Sequence, residues 1–211
     1  MIAAALLAAP TAPLDCSRVR SEPQLQPCEL ERGEHDVLNS GKRPPAVALG
    51  PDAIRFSTEP SLGGRGIIVE LAAGDGGRVR GRALWFDGHP YSGWESHGSA
   101  VFSLSVSEYR RLASTVDRSL AAYRARDTDT DYICTDGDDS VTERVRRGSV
   151  VTLTGSCPYT AKELHPNGYI GAAMLSLACP YLLADDPDDL RLRRNCRRWR
   201  WIARAEGAPA S

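Results

Sequence analysis

The chain has 211 residues, of which 42% are hydrophobic and 25% charged, with a formal net charge of -1 at pH 7. That is apolar matter enough for one buried core with appendages. The near-neutral balance excludes a global electrostatic attraction to nucleic acid or to an anionic membrane, so any such binding needs a local patch. Lysine occurs only at Lys42 and Lys162, which leaves few candidates for Schiff-base or phosphate-loop lysine chemistry.

The N-terminus reads MIAAALLAAPTAPLDC, with an unbroken apolar run from Ile2 to Ala9. The run is too short for a membrane-spanning helix, which needs about 20 residues. It fits the apolar region of a secretory signal over residues 1–12. It departs from that pattern in two ways: no basic residue precedes it and no clean small-x-small cleavage site follows. No other stretch reads as transmembrane. Six cysteines, Cys16, Cys28, Cys134, Cys157, Cys179 and Cys196, strengthen the export reading. An even, widely spaced set behind a signal-like segment predicts disulfides. Closeness along the chain favours Cys16–Cys28, Cys134–Cys157 and Cys179–Cys196, though sequence alone does not choose among the possible pairings. There is no CxxC, hence no thioredoxin-type or zinc-ribbon signature.

Residues 13–52 are rich in Pro, Glu and Arg without periodicity and read as an irregular arm. A single α+β domain is expected over 53–205, with a flexible tail at 206–211. Strand patterns follow at 53–58, 66–72, 78–86 and 99–105, with GDGG (74–77) as a turn between the second and third. Ser105-Val106-Ser107-Glu108 matches a capping box, and Val106, Tyr109, Leu112, Val116, Leu120 and Tyr123 then recur at spacings of three and four. This predicts an amphipathic helix over 106–125. Residues 131–136, 141–147 and 149–157 read as further strands, with Arg147-Gly148-Ser149 as a tight turn. A second helix is expected over 165–183, its inner face formed by Ile170, Ala173, Met174, Leu177 and Tyr181 and its end or bend at Pro180. A third is expected to start at Asp186 as cap with Pro187 in its first turn, and to bury Leu192, Cys196, Trp199 and Ala203. A strand over 195–203, with Trp199 and Trp201 on one face, is the alternative. The fold class is therefore α+β: a largely antiparallel sheet with two or three helices packed on one side, stabilised by disulfides.

The richest stretch for function is LWFDGHPYSGWESHGS, residues 84–99, which links the strands at 78–86 and 99–105. Asp87, His89, Glu95 and His97 are metal-ligand types. On an extended segment Glu95 and His97 share a face, while His89 must fold back across the turn. The same groups suit general acid–base work, with Glu95 orienting His97. There is no H-E-x-x-H and no G-x-S-x-G. The structural alternative is an aromatic loop whose Trp85, Phe86 and Trp94 pack on the sheet.

Two other segments carry weaker signals. Asp127, Asp129, Asp131 and Asp138 match calcium-loop positions, but Tyr132 stands where that loop needs glycine. RLRRNCRRWRW (191–201) has the charge and aromatics to bind phosphate, lipid headgroups or single-stranded nucleic acid, against the default of a charged surface helix whose field the preceding DDPDD (185–189) neutralises in large part. SLGGRG (61–66) lacks the lysine and the context of a phosphate loop.

These observations predict an exported protein, periplasmic or secreted, of binding or inhibitor type, with segment 85–98 as its binding surface and Trp85, Tyr91 and Trp94 as contact residues. The partner is an unidentified protein or small-molecule ligand; no cofactor is indicated and nucleic acid is not favoured. The alternative is a small hydrolase or metal-dependent enzyme using His89, Glu95 and His97, with Asp87 as a further ligand.

Overall fold

The computed structural model describes residues 45–60, 64–74, 78–89, 93–125, 138–156 and 166–205. By internal contacts the chain divides into Met1–Arg43 and Pro44–Ser211, and all described residues belong to the second unit. The turn Ala46–Leu49 and Asp52, expected in the arm, belong to that unit as well. The signal-like segment, Cys16, Cys28, Cys134, Cys157, the expected strand at 131–136 and Asp127, Asp129 and Asp131 lie outside the described residues.

Among the described residues the elements are strands β1 (Asp52–Pro60), β2 (Gly64–Ala73), β3 (Arg78–His89) and β4 (Gly93–Ser105), helix α1 (Val106–Ala125), strands β5 (Asp138–Arg146) and β6 (Ser149–Ser156), and helices α2 (Pro166–Asp185) and α3 (Leu190–Ala205). The strands form one six-stranded sheet in the order β4-β3-β2-β1-β5-β6, antiparallel throughout. The α+β class with an antiparallel sheet and three helices is thus the observed one. Four strands run as a meander; α1 then carries the chain to the far side of β1, where β5 pairs.

Alternation along the strands separates the two sheet faces. Ile54, Phe56, Ile67, Val69, Leu71, Val79, Ala83, Trp85 and Phe102 join the buried faces of the helices in the main core. Three aromatic rings on the sheet lie over cross-strand glycines: Trp85 over Gly98, Phe102 over Gly81 and Phe86 over Gly66. A Cβ at Gly98 would meet the indole at 2.4 Å. Glycine inside a strand weakens it unless a neighbour uses the space, and here a large ring does.

On the other face, Ala53, Ala72 and Val145 pack with Ala46 of the turn. Beside them Arg55, 1% exposed, donates from Nε to Glu70 Oε1 and from Nη1 to Glu143 Oε2, both at 3.1 Å. Burial pushes the Glu143 carboxyl above its ordinary value against the pull of Arg55.

Helix α1 starts as its capping box predicts. Ser105 N–H donates to Glu108 Oε2 at 2.9 Å, and Glu108 N–H donates to Ser105 Oγ at 3.2 Å. Helix α2 is apolar all round rather than on one face. Ile170, Ala172, Ala173, Met174, Leu175, Leu177, Ala178 and Leu182 are all buried, because the sheet, α1 and α3 pack against it from different directions. By length and composition Asn167–Asp185 could cross a membrane, and 72% of that window is buried inside the domain. Its first turn is pinned by the buried Asn167, whose Nδ2 donates to the carbonyls of Ser140 and Leu153, each at 3.0 Å.

Two helix boundaries differ from the sequence expectation. Pro180 neither ends nor visibly limits α2, which runs on to Asp185. Packing of Cys179 and Leu182 in the core outweighs the one backbone hydrogen bond that proline cannot donate. The cap of α3 is Asp189, not Asp186: its Oδ1 accepts from Leu192 N–H at 2.9 Å, so Asp186–Asp189 form the turn between the helices. The helical reading of 195–203 holds, since Trp199 is buried and Trp201 exposed. A Cys179–Cys196 disulfide joins α2 to α3, with Cα atoms 5.7 Å apart. The β5–β6 turn is a two-residue hairpin with Arg147 at φ 51° and Gly148 at φ 81°, the doubly left-handed form that matches strand twist.

Candidate functional site

Segment 84–99 is not a free loop. Strand β3 continues to His89 and β4 begins at Gly93, so most of it forms the two arms of a hairpin. The pairing slips between Trp85/Phe86: Trp85 faces Gly98, while Phe86 faces Ser96. His97 is therefore the extra residue of a β-bulge, a device that re-aims a side chain and is often found beside functional sites. No sequence pattern marked the bulge, since Glu95 and His97 alternate as in a regular strand.

The bulge brings His97 against Asp87. His97 Nδ1 lies 3.1 Å from Asp87 Oδ2, and its Nε2 lies 3.5 Å from Asp185 Oδ2 at the end of α2. The Trp85 indole N–H donates to the same Asp185 oxygen at 2.9 Å. Arg65 on β2 donates from Nε to Asp87 Oδ1 at 3.3 Å, and its Nη2 lies 3.6 Å from Asp186 Oδ2. Arg65 Nη1 is buried and has no hydrogen-bond partner. The His97 ring is 44% exposed, and Asp87, Asp185 and Asp186 are similarly half-open.

Of the sequence candidates, Asp87 and His97 thus come together. Glu95 stands opposite Asp87 in the ladder, Trp94 opposite Gly88 and His89 opposite Gly93; these are register positions only. Tyr91 lies outside the described residues. Trp85, expected as a binding contact, is 3% exposed and belongs to the core. Among the described residues no group of three or more His, Cys, Asp or Glu is arranged to hold a metal ion. Sequence reasoning missed Arg65, Asp185 and Asp186. A signal existed at the last two: acidic residues close α2, where the helix dipole favours cations.

Both ring nitrogens of His97 face carboxylates, and the groups around it in this cluster are an indole N–H and a guanidinium. Among the described residues, the ion-pair partners of His97 are Asp87 and Asp185. What the arrangement can do is hold charge at a surface: three carboxylates stand against one guanidinium, and a hydrogen-bond donor or cation fits the imbalance.

A second polar cluster lies where β1, β5 and α1 meet. The buried Arg144 contacts Asp52, donates to the Ala53 and Val145 carbonyls and, through Nε, to Asp117 Oδ1 at 3.1 Å. Tyr109 O–H donates to Asp52 Oδ1 at 2.7 Å. Burial and the Asp52 contact raise the Tyr109 phenol well above its ordinary value. A groove of about 190 Å³ opens beside this cluster, lined by Asp117, Leu120, Ala121, Arg144, Arg146, Ser149 and Val151. Its charges pair with one another, Arg144 and Arg146 both with Asp117, which is the economy of a structural network.

No protein-family model matches the chain, and no curated protein is significantly similar to it.

Proposed function

We propose that this is an exported binding or inhibitor-type protein, periplasmic or secreted, that recognises its ligand at the hairpin end of the sheet. The bulged His97, held between Asp87 and Asp185, carries the reading. A general base needs a free lone pair aimed at a proton to abstract, whereas both nitrogens of this ring face carboxylates. The ligand is one that presents a cation or several hydrogen-bond donors, because Asp87, Asp185 and Asp186 outnumber Arg65. Export rests on the apolar N-terminal run, the six cysteines and the bonded pair Cys179–Cys196.

The rival reading is a hydrolase using His89, Glu95 and His97. Chromogenic ester, phosphoester, glycoside and peptide substrates, offered to the wild type and to His97→Ala, decide between them. The binding reading predicts no turnover that depends on His97. Turnover abolished in His97→Ala, with the variant still folded, replaces it with the enzyme.

A further inference from the structure

We propose that the outward face of α3 is a docking surface for an anionic phospholipid membrane. The inference does not depend on the function assigned to the hairpin end. Helix α3 carries Arg191, Arg193, Arg194, Arg197, Arg198, Arg200 and Arg204 and no acidic residue. Leu192, Cys196, Trp199, Ile202 and Ala203 turn inward. At about 100° per residue, Leu190, Arg194, Arg197 and Trp201 fall on one outward line, with Arg193, Arg204, Arg198 and Arg191 flanking it. Leu190 is 74% exposed and Trp201 71% exposed. They sit at the two ends of a stripe roughly 16 Å long, with arginines between.

The composition of this face works against the helix. Pairs such as Arg193/Arg197, Arg194/Arg198 and Arg200/Arg204 put like charges at i, i+4, each unfavourable. Arg191 and Arg193 oppose the helix dipole in the first turn. Among the described residues no ion pair relieves Arg191, Arg193, Arg194, Arg197 or Arg204. A sequence that breaks local rules on one face points to a use for that face. The whole-chain charge of -1 makes the concentration a local one.

The two exposed apolar side chains choose the partner. Arginine alone fits any phosphate, but a nucleic acid backbone offers Leu190 nothing to enter. A bilayer surface takes both: guanidinium groups meet lipid phosphates, while Leu190 and Trp201 settle at the headgroup boundary, where indole rings partition. The Cys179–Cys196 bond and the buried underside hold the face rigid, so no ordering is needed on docking.

Flotation of the purified oxidised protein with vesicles tests this. Binding is expected to vesicles containing phosphatidylglycerol and not to phosphatidylcholine alone, and to fall as salt rises. Arg194→Gln with Arg197→Gln is expected to weaken it by about 30-fold, at roughly 1 kcal/mol for each arginine. A Trp201→Phe variant should lose the fluorescence quenching that brominated lipid produces in the wild type. Unchanged thermal unfolding confirms that these exposed substitutions leave the fold intact. Failure to float with anionic vesicles overturns the proposal, as does binding indifferent to the double substitution. Tighter binding to a single-stranded oligonucleotide at the same salt assigns the face to nucleic acid instead, and displacement by millimolar inorganic phosphate reduces it to a site for free anions.

Discussion

Gly98 shows how a single side chain, or its absence, connects the core to the candidate site. The Trp85 ring occupies the space above it, and the same indole N–H holds Asp185, which faces His97. Gly98→Ala places a methyl group inside the ring. We expect a loss of about 1–3 kcal/mol in denaturant unfolding, the usual result of overfilling a packed core, together with a shifted indole N–H resonance for Trp85. Asp52 makes a second statement at this scale. Burial by itself raises its pKa, but hydrogen bonds from Tyr109 and Arg144 and the charges of Arg144 and Arg146 outweigh that and hold it below the ordinary value. A carboxyl depressed by folding stabilises the protein above its unfolded pKa, near 3.9, and that contribution is lost as pH falls through the folded value. Stability should therefore drop below about pH 4, and Asp52→Asn should flatten the acid limb of the stability curve. Glu143 has the opposite sign, since its pKa is raised in the folded state. Equal acid limbs in the wild type and Asp52→Asn would contradict the assignment.

At the scale of elements, local chemistry was legible where it was self-contained. The Ser105–Glu108 box and the three-four spacing beyond it gave α1 its observed limits, because cap and stripe both lie within a few residues. The strands at 53–58, 66–72, 141–147 and 149–157 were legible for the same reason, and so was the Arg147-Gly148 turn, whereas β3 and β4 extend into the stretch read as their connection. Asp186 was misread as the cap of α3 because Asp189 makes that local bond instead, and α2 runs past Pro180 because Cys179 and Leu182 pack in the core. The α2–α3 hairpin is the element that the disulfide secures. Replacing Cys179 and Cys196 together by alanine should cost about 2–4 kcal/mol, by releasing the loop between them in the unfolded chain. Denaturant unfolding of oxidised wild type against the double variant measures this. Equal stabilities would mean that packing of α3 on α2 suffices alone.

At the scale of the molecule, the antiparallel sheet under three helices seen among the described residues followed from the order of sequence patterns, while the site followed only in part. Asp87 and His97 lie close in sequence and converge, but through a bulge that no alternation reveals. Their partners come from β2 and from the end of α2, far along the chain, and only the assembled fold places Arg65, Asp185 and Asp186 beside them. The result is a rigid sheet end with an acidic, half-exposed rim. On the proposed function, this rim binds a ligand. Two-dimensional NMR of isotope-labelled protein against a library of small polar and cationic fragments tests it most directly. Binders are expected that perturb the amides of Asp87, His97 and Asp185 and the Arg65 side chain, with the effects lost in Asp87→Asn. Binders that map only to other surfaces, or a rim untouched by every fragment, would contradict it.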